Sequence, residues 1–144
     1  MSETQRAGAV PALRQVVLDC TNPRQLAEFY RRLLDLTYRP GDEPPPGGEP
    51  DPRGEDWLVL RGAGMGVAFQ GVAVLPEPTW PEGPYPQMLH LDLTVGSVEE
   101  LAASHERALA LGARVLRDRS DDPEEPLWVY ADPAGHPFCI FVAP

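Results

Sequence analysis

The sequence predicts an α/β (α+β) protein built from two tandem β-α-β-β-β modules, and three observations lead to that prediction. First, residues 87–112 repeat the plan of a stretch seventy-five positions earlier, so that Gln15 aligns with His90 and Asn22 with Ser97. Second, this single ungapped offset aligns a strand, a helix cap and a helix face together, which isolated matches of leucine and alanine would not do. Third, each half continues with short strands bounded by turn residues.

The first module is predicted over residues 13–74. Its first strand, residues 13–20, has the β-branched content and turn-bounded length that are typical of strands. Asn22 can then cap a helix that has Pro23 at its first position. The apolar residues of this helix recur at helical spacing and predict one buried face: Leu26, Phe29, Tyr30, Leu33 and Leu34. The remaining strands are predicted at residues 37–39, 57–60 and 65–74.

The second module is predicted over residues 87–143, after a proline-rich linker at residues 75–86. Ser97 is the predicted helix cap, with Glu100 at the capping-box position, and Gly112 ends the helix. The strands are predicted at residues 88–95, 113–117, 127–131 and 137–142. Because the linker also carries aromatic residues, it either tethers the modules or lies over a pocket.

The formal charge of −10 is concentrated in two segments. Residues 41–56 contain six acids, five prolines and four glycines, and residues 118–126 contain five acids. The remainder of the chain is nearly neutral, which argues against a basic face that binds nucleic acid. Either both segments are solvated loops, or they steer a cationic ligand toward a nearby cleft.

Length and composition indicate one domain over residues 1–144. An apolar fraction of 42% is sufficient for a core. No apolar run approaches the roughly 18 residues of a membrane span, and residues 1–15 lack the apolar stretch of a secretory signal. Two cysteines are too few for a disulfide framework. We therefore expect a cytoplasmic protein that does not contact a membrane.

Two segments carry a resemblance to a known family. Residues 22–36, NPRQLAEFYRRLLDL, resemble the helix signature AxxFYxxxLG of the vicinal oxygen chelate superfamily, and residues 130–141, YADPAGHPFCIF, resemble its closing DPxGNxxEL hairpin. The superfamily includes glyoxalase I, extradiol dioxygenases and the bleomycin- and fosfomycin-resistance proteins. The resemblance implies a half-open, curled mixed sheet around a central cleft, and a homodimer. One departure is Asp35-Leu36, where the family usually has Leu-Gly.

The resemblance also implies positions for metal ligands, on the first and last strands of each module. Gln15 and His90 fall on the two first-strand positions, and Cys139 stands where the family has a closing-strand glutamate. The corresponding position of the first module lies within residues 67–70, where Gln70 is the only donor and the register is open. The implied set is therefore His90, Gln15, Gln70 and Cys139, for a divalent ion such as Zn²⁺, Ni²⁺, Mn²⁺ or Fe²⁺. Both family carboxylates are missing, which disfavours ions that prefer carboxylate ligands and makes ordinary glyoxalase I activity an unsuitable assignment.

Other side chains offer chemistry of their own. Strand alternation puts Asp92 on the same face as His90, so the two are candidates for a catalytic acid–base pair; otherwise Asp92 is a satisfied polar residue. His105 and His136 are more simply structural. Trp57, Trp80, Tyr85 and Phe69 are candidate aromatic walls for a planar ligand, with burial in the core as the alternative for Trp57 and Phe69.

Two classes of function follow from these residues. The first is a small-molecule enzyme of glyoxalase-like, lyase or isomerase type, with or without a metal. The second is a non-catalytic protein that binds or sequesters a drug or antibiotic. In both, a small organic molecule is expected in the cleft, lined by Gln15, Gln70, His90, Asp92 and Trp80.

Overall fold

Two four-stranded mixed sheets, each accompanied by one helix, make up the part of the chain that the computed structural model describes, residues 9–144. The first half contains β1 (Gln15–Cys20), α1 (Pro23–Leu34), β2 (Thr37–Tyr38), β3 (Trp57–Arg61) and β4 (Gly66–Gly71). The second half contains β5 (Leu91–Val95), α2 (Val98–Leu111), β6 (Arg114–Arg119), β7 (Leu127–Ala131) and β8 (Pro137–Val142). Residues 1–8 lie outside the described residues. The prediction that residues 1–15 contain no secretory signal therefore falls partly on residues that the structure does not describe.

The two halves have the same strand order. The first sheet runs β1-β4-β3-β2 and the second β5-β8-β7-β6. In each, the first and last strands of the module pair in parallel and the other pairs are antiparallel. Both sheets are open, because each ends in an edge strand rather than closing on itself. The prediction of tandem β-α-β-β-β modules is confirmed.

Both helices begin at the predicted caps. The Asn22 side chain accepts a hydrogen bond from the Gln25 backbone N–H at 3.2 Å, and the Ser97 hydroxyl accepts one from the Glu100 N–H at 3.1 Å. The Glu100 carboxylate in turn accepts a hydrogen bond from the Gly96 N–H at 2.6 Å, one residue before the position that a capping box would use. These contacts satisfy backbone donors that the first helical turn leaves free, so both helix starts are fixed locally.

Several strands differ from their predicted limits by two or three residues. The strand predicted at residues 88–95 begins at Leu91, and the strand predicted to end at residue 74 ends at Gly71. The reason is the partner strand, since β8 begins only at Pro137 and β1 ends at Cys20. His90 therefore lies just before β5, not within it.

The two modules share one core. Phe29 and Tyr30 of α1 lie against Phe138 of β8, with ring centroids 5.8 and 6.1 Å apart. Tyr30 also stacks on Phe69 at 6.0 Å, and its hydroxyl donates a 2.6 Å hydrogen bond to the buried Asp132. Helix α1 thus buries its apolar face against both sheets. No helix among residues 9–144 is both long enough and apolar enough to span a bilayer.

One of the two predictions for the acidic segment at residues 41–56 was a solvated loop, and the structure shows that part of this segment is buried and bonded to the rest of the chain. Asp42 is fully buried, accepts a hydrogen bond from the Val59 N–H at 3.0 Å, and pairs with Arg39 and Arg53 at 3.1 and 2.8 Å. Arg24 of α1 pairs with a second acid, Asp51, at 2.8 Å. Arg24 and Arg39, which lie outside the segment, thus pair with its carboxylates. The composition of the segment alone does not predict these pairs.

Candidate functional site

One face of β5 and β8 carries the polar side chains of the candidate site. Along β5, Leu91, Leu93 and Val95 pack toward the core, whereas Asp92 and Thr94 are exposed. Cys139 is the register partner of Asp92 on the parallel strand β8. Because side chains of paired residues in a parallel sheet point to the same face, the thiol and the carboxylate meet.

Three side chains that could each offer a ligand atom to a metal ion converge on this face. The Cys139 Sγ donates a hydrogen bond to Asp92 Oδ1 at 2.9 Å, and His90 Nε2 lies 3.1 Å from the same oxygen. Ligand atoms of His90, Asp92 and Cys139 all lie within 4.8 Å of one another. The predicted pairing of His90 with Asp92 is therefore present in the structure, and Cys139 joins it.

Burial and the neighbouring carboxylate decide the protonation of this thiol. Burial, followed by the hydrogen bond to Asp92 and its charge, raises the pKa of Cys139 to about 12. The sulfur is therefore a thiol at neutral pH and serves as a hydrogen-bond donor, not as a nucleophile. The side chains of His90 and Asp92 are 52% and 58% exposed, so a ligand can reach both from solvent.

A cavity of about 100 Å³ adjoins this cluster. It is lined by Trp80, Gln87, His90, Leu127, Val129, Pro137, Phe138 and Cys139. The Arg117 guanidinium lies 5.6 Å from the centre of the Trp80 ring and holds that ring over the second sheet. Trp80 thus occupies the position expected of an aromatic wall.

Gln87 lines the same cavity and is not among the residues that the sequence singled out. Its Oε1 is buried and has no hydrogen-bond partner within residues 9–144. A buried acceptor without a partner carries a cost of about 1–3 kcal/mol, so such an atom in a cavity wall is a natural contact for a ligand. Nothing in the local sequence distinguishes Gln87 from the other polar residues of the linker.

A second and larger cavity, of about 470 Å³, lies on the first-module side. Gln70 and Asp19 line it, together with the prolines of the linker and Tyr85, Leu89 and His136. The single predicted cleft is thus divided in the structure, with His90 and Trp80 in one cavity and Gln70 in the other.

Four predicted site residues line neither cavity, and one of them is Asp92, which adjoins the smaller cavity only through its contacts with His90 and Cys139. Phe69 is fully buried beneath Tyr30, while Trp57 and Gln15 are half-buried on β3 and β1. The two pairing registers also give the position that the sequence left open. Val17 pairs with Ala68 as Asp92 pairs with Cys139, so Ala68, not Gln70, is the first-module counterpart of Cys139.

The remaining histidines make structural contacts. His136 Nε2 donates a 2.6 Å hydrogen bond to the Asp19 carbonyl oxygen and thereby joins the second module to β1. His105 stacks on Trp128, with ring centroids 3.7 Å apart, and its Nδ1 is hydrogen-bonded to the Tyr130 hydroxyl at 2.9 Å. Neither ring joins the His90 cluster.

The sequence model of the glyoxalase-like domain family matches residues 15–141, and the chain belongs to this family, within the vicinal oxygen chelate superfamily.

A glyoxalase/bleomycin resistance protein/dioxygenase family enzyme from Burkholderia phytofirmans PsJN has a similar structure, with a TM-score of 0.67 at 15% identity over 92% of this chain and 98% of that one. The fosfomycin resistance protein FosX from Mesorhizobium loti gives 0.65 at 12% identity over 94% of each chain. FosX from Listeria monocytogenes gives 0.67 at 16% identity over 94% and 95%. At these identities the likeness concerns the fold. No curated protein sequence matches significantly.

Proposed function

We propose that the chain is a small-molecule enzyme of the lyase or isomerase type, whose reacting groups are His90 and Asp92, with Cys139 hydrogen-bonded to Asp92. The observation that supports this most directly is the convergence of three donor atoms within 4.8 Å beside a cavity. The unpartnered Gln87 Oε1 in the same cavity supports it independently, because an orphaned acceptor there suits a ligand that carries a hydroxyl or N–H group.

The donor set determines which metal would suit this cluster. Imidazole, carboxylate and thiolate are ligands of zinc-class ions, whereas Mg²⁺ and Mn²⁺ favour oxygen ligands. The Cys139 sulfur would bind a zinc-class ion as a thiolate and lose the proton that the free thiol carries. A variant of the Listeria FosX was solved with manganese(II) and a dihydroxypropylphosphonic acid, and that fact concerns the Listeria protein alone. Here His90, Asp92 and Cys139 would hold a zinc-class ion, whereas Gln70 lines the other cavity. Such an ion would supply Lewis acidity toward an oxygen atom of the ligand.

The chain's own side chains have distinct roles in this proposal. The Asp92 side chain is 58% exposed, and only its Oδ1 is engaged by Cys139 and His90, so its other carboxylate oxygen is the group that accepts a proton from a bound molecule. His90, 3.1 Å away, orients this carboxylate and stabilises its charge. Gln87 positions the ligand by accepting a hydrogen bond, and Trp80 covers it from the linker side. The domain limits at residues 1 and 144, a homodimer and a cytoplasmic location stay predictions.

Metal analysis of protein purified without chelator tests the proposal. One zinc-class ion per chain is expected after loading, and it should be lost in His90→Ala and Cys139→Ala. Gln70→Ala, in the other cavity, is the matched control and should retain it. In the cobalt-loaded protein, a thiolate-to-metal absorption band should be present and should disappear in Cys139→Ala.

Catalysis is assayed as exchange of carbon-bound hydrogen for solvent deuterium in small 2-oxo and 2-hydroxy carbonyl compounds. Exchange that disappears in Asp92→Asn, with the thermal midpoint preserved, would support the enzyme. If wild-type protein neither binds Zn²⁺, Ni²⁺, Mn²⁺ or Fe²⁺ nor catalyses exchange, the enzyme proposal fails, and the alternative of a non-catalytic binding protein takes its place.

A further inference from the structure

The structure assigns a second ligand site to the 470 Å³ cavity, and we propose that it binds a small apolar or aromatic molecule carrying a protonated amine. The volume is within the range of small-molecule pockets, about 300–1,000 Å³. His90, Asp92 and Cys139 do not line this cavity, so the proposal does not depend on the chemistry proposed for them.

The outer wall of this cavity is a rigid strap, defined here as residues 75–89. Pro76, Pro78, Pro84 and Pro86 of the strap line the cavity. The strap folds back on itself, since the Thr79 N–H donates to the Tyr85 carbonyl at 2.5 Å and the Tyr85 N–H donates to the Thr79 hydroxyl at 3.0 Å. Because proline fixes φ, a wall of this composition loses little freedom when a ligand binds.

The inner wall supplies the polar groups. Asp19 on β1 and Gln70 on β4 are register partners on parallel strands, so their side chains lie side by side on the exposed face. Neither side chain has a hydrogen-bond partner within residues 9–144. A carboxylate and an amide oxygen that are both free to accept hydrogen bonds suit a group with several N–H donors.

The formal charge of the residues that line the cavity determines which sign of charge the ligand should carry. Asp19 carries the only full formal charge among the lining residues at neutral pH with histidine neutral. His136, which also lines the cavity, directs its Nε2–H to the Asp19 carbonyl oxygen and not to the carboxylate. An ammonium group is therefore favoured at this end, whereas a carboxylate ligand would be repelled.

The apolar part of the ligand has a matching surface. Val17, Tyr85 and Met88 are 37%, 53% and 92% exposed, and all three line the cavity. Apolar side chains grouped around a cavity in this way form the kind of patch that a ligand covers. An aromatic ring would pack against Tyr85, and the flexible Met88 thioether can adapt to its outline.

A matched ligand series tests this site: 4-phenylbutylamine, 4-phenylbutanol and 4-phenylbutyrate, titrated by calorimetry and by amide chemical shifts. The amine should bind most tightly and the carboxylate most weakly. Asp19→Asn should weaken amine binding by about tenfold or more while leaving binding of the alcohol unchanged, since only the charge is removed. Asp92→Asn makes the same substitution outside this cavity, in the cluster with His90 and Cys139, and should leave amine binding unchanged.

The variant profile separates this proposal from the enzyme proposal. Loss of amine binding in Asp19→Asn, with metal content unaffected, would support the second site even if no catalysis were found. Equal binding of all three compounds, or an unchanged amine affinity in Asp19→Asn, would overturn it. So would a dimer by light scattering that binds none of the compounds, because a second copy would then be what covers the patch.

Discussion

In the second module, the exposed face of the parallel strand pair carries Asp92 beside Cys139, whereas the first module has Val17 beside Ala68 at the same register. The two modules are otherwise built alike, with identical strand order and with helices capped by Asn22 and Ser97. The shared features are those that hold the backbone in place. The differences fall on the strand faces that lie opposite the shared core cluster, where a side chain can change without disturbing that cluster, although Ala68 itself is fully buried.

The acidic loops of the two modules differ as well. In the first module, the buried Asp42 organises residues 41–56 by pairing with two arginines and a backbone N–H. In the second, the acids of residues 118–126 accept hydrogen bonds from their own loop, as Asp122 does from Glu124 and Glu125 N–H groups at 2.9 and 3.0 Å. Two acidic loops of similar composition therefore make different contacts: the first-module loop is bonded to other parts of the fold, and the second-module loop is bonded mainly to itself.

The largest expected effect tests this contrast between loops. Asp42→Ala should lower the free energy of unfolding by about 2–4 kcal/mol, because it leaves the Val59 N–H unpaired and removes the partner of two arginines. Asp122→Ala, which removes a half-buried carboxylate that is bonded within its own loop, is the matched control and should cost much less. Urea denaturation of both variants measures the difference, and equal losses would show that the first-module loop is not specially organised.

The second prediction compares two buried aspartates, one associated with each module. Burial raises the pKa of Asp42, but the hydrogen bonds from Arg39 and Arg53 outweigh it and the pKa is lowered overall. Burial dominates at Asp132 and raises its pKa, against the opposing hydrogen bond from Tyr30. Asp42 therefore contributes stability above the usual aspartate pKa that is lost as pH falls through its folded-state pKa. The pH dependence of the stability that Asp132 contributes has the opposite sign. This contribution is largest below the usual aspartate pKa, and it declines as pH rises toward the higher folded-state pKa of Asp132.

The measurement is the free energy of unfolding between pH 3 and 8, roughly the span over which carboxyl groups with shifted pKa values titrate. Subtracting the profile of Asp132→Asn from that of wild type should give a difference that falls as pH rises. The same subtraction for Asp42→Asn should give a difference that rises with pH. Two profiles of the same sign would mean that the arginines around Asp42 do not outweigh its burial.

The smallest effect concerns the helix C-termini, where the modules use different residues for one backbone conformation. Asp35 follows α1 with a φ of 52°, and Gly112 follows α2 with a φ of 117°. Asp35→Gly should stabilise the protein by about 0.5–1 kcal/mol, and Gly112→Ala should destabilise it by about 1 kcal/mol. An added Cβ at Gly112 would meet only Pro133, at 3.7 Å, so strain in φ is the whole reason. Thermal denaturation checks both signs, and a loss of stability in Asp35→Gly would contradict this account.

Much of the candidate site was visible in the sequence, and the rest was hidden for identifiable reasons. His90, Asp92, Cys139 and Trp80 were all predicted, and the structure brings the first three together and places Trp80 in the adjoining cavity wall. Gln87 was missed because an orphaned acceptor is recognised only once its surroundings are known. Gln70 was predicted beside His90 because the register of β4 was open, and pairing with Asp19 turns it toward the other cavity.

The sequence by itself determined the two modules and their helices, because caps, helical periodicity and turn residues act through neighbours a few positions away. It also determined that the family's carboxylates are absent. Only the tertiary structure decided which strand residues meet, such as Cys139 and Asp92, which are 47 residues apart. Strand register depends on long-range pairing, and a shift of one residue would turn every side chain to the opposite face. For the same reason only the fold could bring Arg24 to Asp51 and divide one expected cleft into two cavities of different chemistry.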